Sequence, residues 1–319
     1  MQKRLKILVV RFSSIGDIVL TTPVVRVLKK QINAEVQFLT FSKYATIVSA
    51  NPNIDKLHTI ENNINEILDA LKKEKFDLLV DLHHNIRTQL LKSQLRIPAK
   101  SFSKLNLQKW LMTTFKINML PNTHIVDRYL DTVKHLGVSN DNLGLEFFLS
   151  DKDEVEYLPS EYVVFAIGGR HSTKKLPNEK IISICKNTNQ HIILIGGKED
   201  SKNGEQIVSA TNNTENTCGK YSIGQSAFVI KNAKYIITHD TGMMHIAAAF
   251  KKKIYSIWGN TIPDFGMSPY LANPDSKIIE VKNLSCRPCT KIGFAKCPKE
   301  HFNCMNKINE NLFLDEERF

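Results

Sequence analysis

The sequence predicts an α/β protein made of two Rossmann-like domains that face each other across a cleft. Two features carry this expectation. Short β-branched runs alternate with helical patterns from the N-terminus onward, and after an acidic, proline-containing linker at residues 150–160 the same alternation begins again. In the first half KILVVRF (6–12) reads as a strand. A helix follows in which Pro23 takes an early position and Val24, Val27, Leu28 and Gln31 recur at helical spacing. EVQFLT (35–40) and FDLLVDL (76–82) are the next strands, the latter preceded by the helical INEILDALKKE (64–74). The second half repeats the pattern with EYVVFAIGG (161–169), LPNEKIISICKNT (176–188), HIILIGG (191–197), GQSAFVIKNA (224–233), YIITHD (235–240) and KIYSIWG (253–259). The expected division is 1–157, 158–300 and a C-terminal segment 301–319.

Composition supports a folded chain: 319 residues, 42% hydrophobic and 24% charged, outside the disordered, collagen-like and disulfide-scaffold classes. No apolar run approaches the roughly 20 residues that cross a bilayer. Arg11 interrupts the first apolar run and no small-residue cleavage site follows, so the N-terminus reads as a strand rather than a signal peptide. The six cysteines then belong to a reducing compartment. Net charge is +11 and uneven: residues 1–150 carry 21 Lys and Arg against 13 Asp and Glu. From Leu82 to Val126 there is no acid, while Arg87, Lys92, Arg96, Lys100, Lys104, Lys109 and Lys116 alternate with Leu, Phe and Trp. Such a stretch suits an anionic partner: nucleic acid, an acidic lipid surface or a phosphorylated substrate.

Ligands of open α/β sheets collect at the carboxyl ends of strands, which directs attention to four loops. Ser13, Ser14, Gly16 and Asp17 follow the first strand. Their small residues admit close backbone approach, the hydroxyls can donate to phosphate, and Asp17 is either a general base or a helix cap. The spacing is neither a dinucleotide fingerprint nor a P-loop. Gly168 and Gly169 lead through His171, Ser172 and Thr173 to Lys174 and Lys175, a phosphate clamp or a solvated basic loop. Gly196 and Gly197 precede Asp200, which either holds ribose hydroxyls or caps a helix. Asp240, Thr241, Gly242 and His245 form the most specific group: a strand ends in a carboxylate, a helix opens with free N–H groups, and a histidine lies in its first turn, as ligand contact or packed core.

In this order and spacing, SSIGDIVLTTP, STKKLP, the glycine pair with its acids, the CGK segment and DTGMMHIAAA resemble glycosyltransferase family 9, the heptosyltransferases of lipopolysaccharide core assembly. The resemblance spans almost the whole chain. It implies a GT-B architecture with an N-terminal acceptor domain, a C-terminal nucleotide-sugar domain and a terminal segment packing back on the first domain. It also implies an inverting enzyme that needs no catalytic metal. Its base falls on Asp17, its donor-phosphate lysine on Lys174 and its pyrophosphate motif on Asp240, Thr241, Gly242 and His245. Leu176 stands where the family usually has Trp, and Thr241 where Ser is commoner. The donor implied is ADP-heptose. The implied acceptor is an anionic glycolipid met at the cytoplasmic face of the inner membrane by a monomeric enzyme, with Arg87, Lys92 and Arg96 as candidate acceptor contacts.

The alternatives are a GT-B enzyme with another donor, a sugar-nucleotide 2-epimerase, whose extra carboxylates are not identified, and a basic nucleic-acid-binding protein, which lacks any recognition module. Cys286, Cys289, Cys297 and Cys304 could offer four thiolates to a structural zinc. The second pair is too widely spaced for a knuckle, so reduced structural thiols are preferred.

Overall fold

Apolar runs without a polar face belong in parallel sheets covered on both sides, and that is where they lie. Ile7 to Val10 and Val163 to Phe165 expose no surface. The computed structural model describes residues 4–313. Its first sheet contains β1 (Lys6–Val10), β2 (Glu35–Phe41), β3 (Lys56–Ile60), β4 (Leu78–Asp81) and β5 (Ala99–Ser101) in the order β3-β2-β1-β4-β5. Its second contains β6 (Val163–Ala166), β7 (Ile192–Ile195), β8 (Thr214–Asn216), β9 (Tyr235–His239), β10 (Lys253–Trp258) and β11 (Lys277–Glu280) in the order β11-β10-β9-β6-β7-β8. All pairings are parallel; Ile7 lies opposite both Val36 and Leu78, and Phe165 opposite both Leu194 and Ile237. Each sheet therefore reverses strand order beside its first strand, between β1 and β4 and between β6 and β9. Those switch points open a crevice at the carboxyl ends of the strands.

The chain separates into two units whose limits differ from the expected break at residue 157. The first takes residues up to Lys104 together with Thr123–Phe148, and the second takes Leu105–Asn122 together with Leu149 onward. Physical ties explain both excursions. Arg26, 4% exposed on the helix Thr22–Ile32, grips Asp141 with two 2.7 Å hydrogen bonds and donates to the Gly144 carbonyl at 2.9 Å, which fixes the returning segment to the first unit. Lys116 donates to the Pro288 carbonyl at 2.7 Å and the Lys109 ammonium lies 5.7 Å from the centre of the Phe265 ring, both within the second unit.

The described part of the C-terminal segment also corrects the expectation. Instead of joining the first unit, Cys304, Met305, Ile308 and Phe313 complete the apolar core of the second, beside Ile181, Ile184 and Tyr255. Glu310 adds an ion pair to Lys180 at 2.6 Å. Residues 314–319 lie outside the described residues.

Candidate active site

In the first unit β1 delivers Ser14 as the N-cap of a short helix, Ile15–Val19, and Asp17 reaches back to it. One Asp17 oxygen accepts from the Ser14 hydroxyl at 2.9 Å and its backbone N–H at 3.3 Å; the other lies 2.8 Å from the Arg11 guanidinium. The capping role is thus realised, yet the carboxylate keeps about a fifth of its surface open (22%), which leaves it reachable. Arg11 is the residue that sequence reasoning misjudged. It is buried, donates through Nε to the Ser13 carbonyl at 2.6 Å and meets the Leu82 carbonyl and the Tyr129 hydroxyl. Burial opposes its charge, and the Asp17 and Asp81 carboxylates more than offset that, holding its pKa above the ordinary value. A cation so enclosed is a fixed part of the site.

The β4 end supplies the neighbouring groups. Asp81, with no exposed surface, accepts from the His83 and His84 backbone N–H groups at 3.1 and 2.6 Å and pairs with Lys92 at 3.0 Å. Burial alone would raise its pKa, but the His84 N–H, Thr88 and Lys92 together hold it below the usual carboxylate range. Lys92, expected to hold acceptor, is therefore engaged with Asp81 and with the Ser101 hydroxyl at 2.9 Å. Arg87 lies over the rings of Phe12 and Phe41 at 5.6 and 5.0 Å, whereas Arg96 is exposed where the helix Ile86–Leu95 ends.

His83 packs against the Phe12 ring, and burial, then Arg11 and Lys104, push its pKa down to about 4. Its unfolded counterpart titrates near 6.5. As pH falls from about 6.5 to about 4 the unfolded chain binds a proton that the folded chain refuses, so stability declines across that window. Urea midpoints measured over it should fall, and His83→Gln should make the decline shallower; an unchanged slope would place the effect elsewhere.

The second unit assembles the other predicted residues around β6 and β9. Lys174 donates to the Asp240 carboxylate at 2.5 Å and to its carbonyl at 3.1 Å, and the Thr261 hydroxyl donates to the same carboxylate oxygen at 2.8 Å. Thr241 is the N-cap of the helix Gly242–Ala249 and makes no side-chain cap bond; His245, 2% exposed, sits within the first turn. Asp200 is 1% exposed, accepts from the Gly197 N–H at 3.0 Å and pairs with Lys175 at 2.7 Å, so its carboxylate is occupied by cap and lysine. His239 accepts from the Leu176 N–H at 2.9 Å and is neutral, since burial and then Lys175 push it down to about 3.

Gly168 shows why a strand end needs no side chain here: a Cβ would lie 2.7 Å from the Asp200 carboxylate and 3.1 Å from the Gly196 Cα. Gly168→Ala should cost about 1–3 kcal/mol by overpacking, read as a lowered unfolding midpoint; an unchanged midpoint would mean that the loop has room to yield.

Thr261 and Arg287 went unread in the sequence. Arg287 donates to the Gly259 carbonyl at 2.5 Å and the Thr261 carbonyl at 2.9 Å and pairs with Glu280 at 2.6 Å, holding the loop that presents Thr261 to Asp240. Among the described residues no group of three or more His, Cys, Asp or Glu side chains is placed to hold a metal; Cys304 belongs to the apolar core of the second unit, and the Cys289 thiol lies 3.0 Å from the Cys286 carbonyl.

Residues 64–298, well over half of the chain, match the family model described as glycosyltransferase family 9 (heptosyltransferase). The chain belongs to glycosyltransferase family 9. Among its relatives, lipopolysaccharide heptosyltransferase 3 of Escherichia coli K12 is 25% identical over 277 residues, covering 77% of this chain and 80% of the relative. Two solved structures share the fold. E. coli ADP-heptose lps heptosyltransferase II superposes with TM-score 0.73 at 19% identity over 98% of this chain and all of the other (100%). E. coli heptosyltransferase WaaC with ADP superposes with TM-score 0.65 at 18% identity over 83% of this chain and 90% of the other. The two parallel sheets are those of a GT-B glycosyltransferase. The loop from Ser13 to Asp17 precedes the stretch matched by the family model.

Proposed function

We propose that this family 9 enzyme transfers a heptose from ADP-heptose to a lipopolysaccharide core or similar surface-glycan acceptor, with inversion at the anomeric carbon. Family membership supplies the reaction class, and the names of the relatives and the ADP in the WaaC structure support the donor and acceptor. The observation that carries the chemistry is the Lys174–Asp240–Thr261 group beside the N-terminus of the helix Gly242–Ala249.

Asp17 takes the proton of an acceptor hydroxyl while that oxygen attacks the anomeric carbon. The C–O bond to the diphosphate breaks in the same displacement, and the electron pair leaves with the nucleotide. Arg11 fixes the Asp17 carboxylate in one orientation, and the Ser14 hydroxyl holds its other oxygen. Charge on the departing diphosphate is met by Lys174 and by the N–H groups at Thr241 and Gly242, a donor set that needs no metal to neutralise it, whereas the Ser14 hydroxyl is committed to Asp17. Gly168 and Gly169 allow the backbone to approach the donor, and His245 stands in the first turn of the phosphate-facing helix. Asp200 acts through Lys175 rather than through a ribose hydroxyl.

The acceptor is anionic, which fits the excess positive charge and the half-buried Arg87 at the β1 and β4 ends. No helix among the described residues is long and apolar enough to cross a membrane. In the reading proposed here the enzyme meets its glycolipid acceptor peripherally, as a monomer at the inner face of the cytoplasmic membrane. Thermal shifts across ADP-heptose, UDP-sugars and GDP-sugars test the donor. ADP-heptose should raise the midpoint most, and a preference for a UDP- or GDP-sugar would replace it with another donor on the same fold.

A further inference from the structure

The helix Asn106–Phe115 buries none of its residues, which is unusual for a segment so rich in apolar side chains. Leu107, Trp110 and Phe115 on it, and Ile117 and Met119 just beyond, are 51–64% exposed, with the Trp110 and Phe115 rings in edge contact at 5.3 Å. A second segment of the same unit adjoins it. Lys291 reaches Asn106 at 3.4 Å and Lys116 reaches the Pro288 carbonyl at 2.7 Å, which brings the loop bearing Ile292 (53% exposed) and Phe294 (40%) alongside. Neither 105–122 nor 288–299 contains an acid, and together they carry Lys109, Lys116, Lys291, Lys296 and Lys299. Glu300 directly follows the second segment, and Asp264 on an adjoining turn is held by Asn118.

We infer that this combined face is a membrane-docking surface for an anionic lipid bilayer, into which Trp110, Phe115 and their apolar neighbours insert at headgroup depth. Exposed aromatic and aliphatic side chains rimmed by lysines match the two attractions that hold interfacial helices, apolar burial and the negative surface potential of acidic lipids. A second copy of this chain would present the same lysines to one another, and repulsion disfavours that occupant. The inference deepens the reading of a lipid-linked acceptor: it names the element that would bring the enzyme to its substrate's surface.

Trp110 provides the probe. Of the two tryptophans, Trp258 is 1% exposed and Trp110 is 52% exposed, so a change in emission on adding lipid reports on Trp110. Vesicles containing phosphatidylglycerol should shift the emission to the blue, and brominated chains should quench it; phosphatidylcholine vesicles should bind far more weakly. Leu107→Gln/Phe115→Gln/Ile117→Gln, all exposed positions, should reduce co-sedimentation with the anionic vesicles by at least about tenfold with an unchanged unfolding midpoint. Absence of vesicle binding, binding without a Trp110 response, equal binding by the triple variant, or a dimer in sedimentation that the triple variant dissolves would each overturn the inference. Transfer to a water-soluble acceptor, measured in parallel, should be equal in the two proteins. If neither transfers heptose while vesicle binding holds, the function fails and the docking surface stands.

Discussion

Asp17→Asn is expected to lower heptose transfer by roughly 10²–10⁴-fold, the range contributed by a positioned general base, while donor affinity changes little. The amide is nearly isosteric and can still face Ser14, so the turn at Ile15–Val19 keeps its shape. What it loses is the capacity to take a proton and the ion pair with Arg11, whose guanidinium is then left buried opposite a neutral group. That second loss lowers stability, and the two effects separate experimentally. A thermal midpoint reads the Arg11 defect, and single-turnover transfer measured well below that midpoint reads the proton acceptor. Arg11→Lys provides the complementary result: Asp17 remains a carboxylate but loses its planar partner, so transfer should fall less than in Asp17→Asn.

Lys174→Met should reduce transfer by about 10²–10³-fold, comparable to removing one preorganised donor from a developing anion, and should weaken donor binding as well. In the absence of donor Lys174 rests on Asp240, which also accepts from Thr261, so the carboxylate stores the ammonium next to the N-terminus of the helix Gly242–Ala249. A diphosphate would compete with Asp240 for that charge. Lys174→Met strips the phosphate of its cation and leaves Asp240, 8% exposed, with Thr261 as its remaining hydrogen-bond donor from this group. Asp240→Asn in the same background should recover part of the lost stability without recovering transfer, because it removes the uncompensated charge but supplies none to the leaving group. Titration calorimetry with ADP measures the binding part; unaltered ADP affinity in Lys174→Met would remove this lysine from the donor site.

The fold was legible because its signals are local. Apolar runs such as Ile7–Val10 and Val163–Phe165 have the period and length of buried parallel strands, and Gly168, Gly169, Gly196 and Gly197 mark strand ends where backbone must come close to its neighbours. That the segments holding Asp17, Lys174 and Asp240 follow strands was legible for the same reason. What escaped was long-range pairing. Arg11 looks like an interruption of an apolar run, yet its partners Leu82 and Tyr129 lie 71 and 118 residues away. Lys92 looks like a surface cation until Asp81 is placed beside it. Asn106–Phe115 reads as part of the first half because nothing nearby shows that Lys116 meets a carbonyl 172 residues later. The C-terminal segment gives no local sign that Met305 and Ile308 fill a gap in the second core.

Product analysis with ADP-heptose and a heptose-deficient core acceptor tests the central claim most directly. The wild-type enzyme should add one heptose whose anomeric configuration is opposite to that in the donor, and Asp17→Asn should yield almost none under the same conditions. Retention of configuration, or full turnover by Asp17→Asn, would contradict a single displacement with Asp17 as its base.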